Sequence, residues 1–269
     1  MFEPVGAKNP LVSQLRRLSG RRSARAAEGR FLVEGPTLLG VALDAGADVS
    51  LVLRDGEASL TDEVATLAQR AEASGARLVE LAPGALAKIT DTVTPQSVAS
   101  VVARHPITLD GLLQEGPPNL PVIVLVGVSD PGNAGTLLRS AEAAGAAAVV
   151  FCAGSVDPFH PKTVRASAGS IFLVPVVEGV EARHVLAALG DHAVPRIGAV
   201  ARGGVELGEA ELTGPVAIVL GSEAHGLPEG LEGLLDEIVT IPMRGRAESL
   251  NVAMAGTLMV FEAARRRQR

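Results

Sequence analysis

Apolar and polar positions along the chain follow two different periods. Val122-Ile-Val-Leu-Val-Gly-Val128 is a continuous apolar run, as expected of a strand buried on both faces. Ala147–Cys152, Phe172–Val177, Arg196–Val200, Pro215–Leu220 and Glu237–Ile241 repeat the theme as shorter strands. Between them, Asn133–Ala144, His160–Ile171 and Ala182–Leu189 read as helices, and a final helix spans Leu250–Arg267. Upstream, Leu11-Val12-x-x-Leu15-x-x-Leu18 follows Asn9-Pro10 as a helical stripe whose other face carries arginines. Strands are expected at Phe31–Glu34, Val49–Leu53, Arg77–Leu81 and Gln96–Ala103. Helices are expected at Thr37–Ala45 and Asp62–Ser74, stopped by Gly46 and Gly75. The breaker-rich stretch from Leu109 to Pro121 separates the two series. The pattern therefore predicts a small α/β unit over 1–105, a linker over 106–120 and a doubly wound parallel sheet over 121–269, with helices on both faces.

The last helix is distinctive. Val252, Ala253, Met254, Ala255, Leu258, Met259, Val260 and Phe261 leave almost no polar face before Arg265. A helix apolar all round is buried all round, which predicts the sheet on one side and a second subunit on the other. A deep position in a monomeric core is the alternative.

Composition narrows the reading. Hydrophobic residues make up 47% of the 269, but aromatics only 2%, with no Trp or Tyr, so aliphatic residues must fill the core. The net charge of −6 excludes a protein that coats nucleic acid through its overall field. The ends differ from the body: residues 1–30 hold Lys8 and six arginines against Glu3 and Glu28, and Arg265, Arg266, Arg267 and Arg269 close the chain. Basic ends on an acidic body suit local phosphate contacts, unless they are simply solvated. Cys152 is the one cysteine, so no internal disulfide forms, and within an apolar strand it reads as a core residue. No run of about 18 apolar residues predicts a membrane span, and the basic N-terminus lacks the apolar segment of a signal peptide. A cytoplasmic protein is expected.

Three polar stretches carry candidate chemistry. Asp130-Pro-Gly-Asn133 ends the first strand of the larger unit, and Arg139 follows in what reads as the second turn of the helix. Asn133 could simply cap that helix. A guanidinium at the carboxyl edge of a parallel sheet suits a phosphate or a polarised hydroxyl. Gly221-Ser-Glu223-Ala-His-Gly226-Leu follows another buried strand. Its glycines permit close backbone approach, and Glu223 brings a carboxylate to the edge, unless it serves only a surface ion pair. Ile241-Pro-Met243 and Glu248-Ser249-Leu250-Asn251 lead into the last helix, which Ser249 is expected to cap. His225 has no metal-like spacing to His160, His184 or His192, so no metal is expected. The absence of Gly-x-Gly-x-x-Gly disfavours a dinucleotide oxidoreductase.

Together these blocks resemble the SpoU (TrmH-type) family of the SPOUT superfamily, the RNA ribose 2′-O-methyltransferases. The resemblance rests on Asp130-Pro-Gly-Asn133-Ala-Gly135-x-x-x-Arg139, Val219-Leu-Gly221-Ser-Glu223-Ala-His-Gly226-Leu, and Ile241-Pro-Met243 with Ser249-Leu-Asn251-Val-Ala-Met-Ala255. The N-terminal unit is similar to the family's L30e-like substrate-binding domain. The resemblance implies a trefoil-knotted parallel sheet, a homodimer formed through the catalytic domain, and S-adenosylmethionine held by Leu220, Gly221, Gly226, Ile241, Met243, Leu250 and Asn251. It implies catalytic roles for Asn133, Arg139, Glu223, Ser249 and Asn251. We expect Arg139 to bind a phosphate and stabilise an alkoxide, because its pKa above about 12 makes it a poor base. Glu223, or a water it orients, is the expected proton acceptor. Structured RNA would be recognised by Arg16, Arg17, Arg21, Arg22 and Arg25, with Lys162 and Arg165 near the catalytic domain. The implied reaction is ribose 2′-O-methylation of 23S ribosomal RNA. A tRNA methyltransferase or a silent RNA-binding assembly protein are the alternatives.

Overall fold

The computed structural model describes residues 4–56, 61–90, 92, 96–114, 116 and 118–267. Glu3 and Arg269, counted above among the charged ends, lie outside them. The chain forms two compact units, residues 1–105 with 159–172, and residues 106–158 with 173–269.

The first unit opens with α1 (Pro10–Gly20), where the Asn9 side chain accepts the Leu11 amide at 2.9 Å and Pro10 occupies the first turn. Its apolar stripe buries Val12, Leu15 and Leu18. After α2 (Arg22–Glu28) come β1 (Arg30–Glu34), α3 (Pro36–Asp44), β2 (Val49–Asp55), α4 (Asp62–Ala73), β3 (Arg77–Leu81) and β4 (Val98–Ala103). These strands form a sheet of order β1-β4-β2-β3. The β4 strand is antiparallel to both of its neighbours, and β2 is parallel to β3.

The second unit starts with α5 (Leu109–Leu113), inside the stretch expected as linker. Leu109 and Leu113 are buried in its core, so this stretch packs rather than spans. Then follow β5 (Val122–Leu125), α6 (Pro131–Ala143) and β6 (Ala148–Cys152). The next segment, 159–172, belongs to the first unit. It carries α7 (Pro161–Ala166) and a 3-10 turn at Ser170–Phe172, in place of the single long helix expected there. Phe159 and Phe172 of this segment pack on Phe31, with ring centroids 5.0 and 6.0 Å away. The second unit resumes with β7 (Val176–Val180), α8 (Ala182–Asp191), β8 (Arg196–Val200), β9 (Val205–Glu206), β10 (Ala217–Leu220), β11 (Glu237–Thr240) and α9 (Val252–Arg267).

All seven strands of the larger sheet run parallel, in the order β7-β6-β5-β10-β8-β11-β9. Residues of β5, β6 and β10 are buried throughout, which explains their unbroken apolar sequences. On one face Val122, Val124 and Val219 meet Leu186 and Leu189 of α8. On the other, α9 packs against α6 and β10. Arg196 and Asp236 form a two-pronged ion pair, both contacts 2.7 Å, that ties β8 to the residue preceding β11. Cys152 sits in this core, and burial, reinforced by Glu181, pushes its thiol up to about 12, so it is no nucleophile. No helix among the described residues is long and apolar enough to cross a membrane.

The seam between α6 and α9 depends on Gly256. A Cβ there would stand 2.5 Å from both Leu137 Cδ2 and Leu220 Cδ1, and both leucines are fully buried. Overpacking costs about 1–3 kcal/mol, whereas replacing Gly by Ala inside a helix gains roughly 1 kcal/mol. Overpacking wins. Gly256→Ala is expected to lower the stability of the second unit by about 1 kcal/mol and Gly256→Leu by about 3 kcal/mol, read from the midpoint of urea unfolding. An unchanged midpoint for Gly256→Leu would mean that α9 does not lie against Leu137 and Leu220.

Candidate active site

In a parallel sheet, neighbouring strands deliver their following loops to the same edge. Strand order reverses between β5 and β10, because β6 and β7 lie to one side of β5 while β10, β8 and β11 lie to the other. Leu125 pairs with Leu220 at the ends of these two strands, and the Val126 amide donates to the Leu220 carbonyl at 2.8 Å. The loops that follow them are therefore neighbours. This is the crevice at which open α/β sheets bind ligands.

Glu223 connects those loops. Its Oε2 accepts the Ser129 amide at 3.1 Å and the Ser129 hydroxyl at 3.3 Å. Its Oε1 accepts the Asp130 amide at 3.1 Å and the Asn133 Nδ2 at 2.9 Å. Burial alone would raise this carboxyl's pKa. The hydrogen bonds, led by the Asn133 side chain and joined by the backbone amides of Glu223, Ser129 and Asp130, overcome it and lower the pKa from 4.5 to about 2.

The chain of bonds continues. Asn133 Oδ1 accepts Nδ2 of Asn251 at 2.9 Å, and Asn251 Oδ1 accepts the amides of Ala253 and Met254 at 2.9 and 3.4 Å. Asn251 thus caps α9, a role expected of Ser249. Likewise Asp130 caps α6, accepting the Asn133 amide at 2.8 Å, which frees the Asn133 side chain for Glu223 and Asn251. Asn133, Glu223 and Asn251, drawn from three distant stretches, form one connected cluster.

The cluster borders a cavity of about 760 Å³ walled by the loops after β8, β10 and β11. Glu223, Ser249 and Asn251 line it, as do Leu220, Gly221, Gly226, Ile241, Met243 and Leu250. Its volume lies within the roughly 300–1,000 Å³ usual for small-molecule sites. The loop after β10 is folded tightly on itself. Ser222 and Gly226 exchange backbone hydrogen bonds of 2.9 Å, and a Cβ on Gly221 would overlap the Gly226 backbone. Main-chain groups of a glycine loop, apolar walls and a few polar side chains fit a nucleoside-bearing cofactor such as S-adenosylmethionine.

Arg139 is not brought into the cluster. Because α6 begins at Pro131, Arg139 falls in its third turn rather than its second, about 12 Å along the axis from the start. It is exposed, does not line the cavity, and its side chain has no hydrogen-bond or ion-pair partner among the described residues. Residues that sequence reasoning missed include Ser129, whose amide and hydroxyl both serve Glu223, and Arg202, which lines the cavity and reaches Glu248 at 3.4 Å. Neither has a sequence signal. Ser129 acts largely through its backbone, and Arg202 lies in an ordinary Gly-rich turn.

In the first unit, Arg16, Arg17, Arg21 and Arg22 are exposed, but Arg25 is only 1% exposed. Its Nη1 donates to the carbonyls of Leu18 and Ser19 at 2.6 and 2.8 Å, satisfying the free end of α1. Arg25 is therefore structural and is not part of the exposed arginine stripe, to which the sequence assigned it. Lys162 and Arg165 lie on α7, in the first unit.

The SpoU rRNA Methylase family matches residues 121–261, and the MRM3-like substrate binding domain matches residues 9–100. The chain is 31% identical to the 23S rRNA (guanosine(2553)-2′-O)-methyltransferase RlmP of Bacillus subtilis, over 97% of this chain and 98% of that protein. It is 30% identical to the 23S rRNA (uridine(2479)-2′-O)-methyltransferase of Streptomyces viridochromogenes, over 98% and 92%. Among solved structures, the AdoMet-bound rRNA methyltransferase of Sinorhizobium meliloti superposes with a TM-score of 0.86 at 29% identity, covering 98% of this chain and 97% of that one. A glycine-loop cavity, the polar cluster beside it and these likenesses over nearly the whole length converge on one assignment: the chain belongs to the SpoU rRNA methylase family.

Proposed function

We infer that this protein methylates a ribose 2′-hydroxyl of 23S ribosomal RNA with S-adenosylmethionine as the donor. The observation that carries the reading is the bonded series Glu223–Asn133–Asn251 beside the cavity of about 760 Å³. The donor, when bound, supplies a methyl group on a sulfonium that departs as a neutral thioether. Leu220, Gly221, Gly226, Ile241, Met243 and Leu250 would hold it, with Ser249 and Asn251 as polar neighbours. A knotted threading of the loops after β8, β10 and β11, as the resemblance implies, is part of this proposal.

The residues then divide their work. A carboxylate with a pKa of about 2 and both oxygens engaged is a weak base near neutral pH. Glu223 is better read as the clasp that orients Asn133 and Asn251 than as the proton acceptor expected from sequence. Asn133 and Asn251 are positioning groups for ribose and cofactor. The exposed Arg139 would grip an RNA phosphate and so fix the ribose in line with the donor. A residue that holds the backbone need not line the donor cavity.

A homodimer through the second unit completes the reading. Met254, Leu258 and Phe261 are spaced i, i+4, i+7 along α9 and are 60%, 47% and 44% exposed, an apolar stripe on the face turned away from the sheet. Ala253, Gly256, Met259, Val260 and Ala263 fill the opposite face.

Calorimetric titration with S-adenosylmethionine, paired with methyl transfer to a 23S rRNA transcript, tests the activity. Wild type should bind one donor per chain, while Arg139→Lys should keep that affinity and lose about 10²–10³-fold in turnover. Undiminished turnover would remove Arg139 from the mechanism, and absence of donor binding would sink the methyltransferase reading.

For Glu223 the depressed pKa fixes the sign. Its stabilising contribution is fully present above the ordinary carboxylate value and is lost as pH falls from there through about 2. Wild type should therefore resist urea better than Glu223→Gln at pH 7 and 5, the gap closing toward pH 2, and turnover should show no Glu223 inflection above pH 5. A turnover pKa near 6–7 that vanishes in Glu223→Gln would restore it as the base. In light scattering, wild type should run at twice 27.5 kDa and Leu258→Glu at 27.5 kDa. A Leu258→Glu protein that stays dimeric would place the interface elsewhere.

A further inference from the structure

The first unit contains a concavity of about 330 Å³ that the activity above does not use. Arg16 of α1, Lys88 of the 3-10 turn at Leu86–Lys88, and Lys162 and Arg165 of α7 line it, with Ile89 and Pro161 as apolar walls. Four cations thus face one small volume although the chain as a whole carries −6. The side chains of Arg16, Lys88 and Lys162 have no hydrogen-bond or ion-pair partner among the described residues, although the Lys162 backbone amide donates to His160 Nδ1 at 3.2 Å. Arg165 has one: its Nη1 stands 3.2 Å from Oε2 of Glu34. The Glu34 side chain is only 4% exposed, and its other oxygen accepts the Thr92 hydroxyl at 2.9 Å and the Gln96 amide at 3.0 Å. That anchored carboxylate holds the Arg165 guanidinium in place while neutralising only one of the four charges. Three uncompensated cations crowded at a concave surface repel one another, and the arrangement is stabilised by an anion that enters.

We propose that this concavity is a phosphate clamp for the backbone of structured RNA, with Lys88 and Lys162 as its mobile jaws and Arg165 as its fixed post. The proposal rests on the reading of the chain as an RNA-modifying enzyme and names where the first unit takes hold. A flexible ammonium suits a phosphate as a point charge, and a guanidinium oriented from behind presents its remaining donors outward. The clamp also gives α7 a purpose in this unit. Its residues come from sequence between two strands of the methylase sheet, yet the chain places them with α1 and the 3-10 turn.

The test measures binding of a 23S rRNA transcript by wild type, Lys88→Ala, Lys162→Ala and the double variant, at several potassium chloride concentrations. Arg77→Ala, an exposed cation outside the concavity, is the control. Each lysine removed should reduce the slope of log affinity against log salt by about 0.7–0.9, Lys88→Arg should restore it, and Arg77→Ala should leave it unchanged. Equal slopes for wild type and the double variant overturn the clamp. So does a control that falls as far as Lys88→Ala, since the attraction would then be diffuse, and so does a wild type that does not bind the transcript. Donor affinity is measured on the same proteins. Wild type that grips RNA through the two lysines but takes no S-adenosylmethionine leaves the clamp standing and removes the methyltransferase reading. Donor binding with RNA affinity indifferent to the lysines does the reverse.

Discussion

An ionised carboxylate can only accept hydrogen bonds, and that single fact orders the active-site region. Because Glu223 accepts from Asn133 Nδ2, the Asn133 amide has one orientation, with its oxygen turned toward Asn251. Asn251 must then present its NH₂ to Asn133, which leaves its own oxygen for the first amides of α9. Donor follows acceptor in one direction from a carboxylate to the start of a helix. Each bond polarises the next, and the helix end, partly positive, favours the negative charge at the far end of the series. Neutralising Glu223 would remove the direction as well as the charge.

The carboxylate could not do this on another sheet order. Residues 129–130 and 223 are more than ninety positions apart, yet each lies only a few residues beyond a strand end, and those ends are paired at Leu125 and Leu220. Reversal of strand order between β5 and β10 is what makes the two loops meet. Small residues then set how closely the remaining pieces approach. Gly221 lets the loop after β10 close on Gly226, and Gly256 lets α9 settle on Leu137 and Leu220. A direct bond of 2.6 Å between the hydroxyls of Ser140 and Thr257 fixes the same helix pair. The helix that Asn251 caps is thereby held by packing along its length and by polar contacts at its start.

Much of this was legible in the sequence, and the exceptions share a cause. The buried parallel strands are visible as unbroken Val, Ile and Leu runs because both faces are covered. Asn133 and Glu223 are visible because they lie shortly after strand ends, and Ser249 and Asn251 because they stand at the entry to the last helix. Local rules misassigned the caps. Ser249 and Asn133 are both good capping types, but tertiary contacts gave the caps to Asn251 and Asp130. Choosing between capping residues two or three positions apart requires knowing which side chain is claimed by Glu223. Arg25 was misread for a similar reason: the pattern of arginines shows a basic stripe, but not that the chain turns at Arg21 and brings one guanidinium back over the last carbonyls of α1. The short β9 is invisible because a two-residue exposed strand has no period to detect. Nor does any local feature announce that Phe159–Phe172 packs with the first unit, since apolar residues there would serve either core equally well.

Aromatic content bears on how RNA is held. The chain has six phenylalanines and no Trp or Tyr. Phe31 is occupied by Phe159 and Phe172, and Phe151 is buried within β6. Among the described phenylalanines only Phe261 is exposed, on the stripe of α9 assigned above to a second subunit. Among the described residues of the first unit, no exposed phenylalanine is therefore available on which a base could stack, and stacking on aromatic side chains is the usual source of affinity for unpaired nucleotides. What the unit does expose is guanidinium and ammonium groups, which bind phosphates without regard to base. Contacts of that kind position a nucleic acid and carry no direct sequence information.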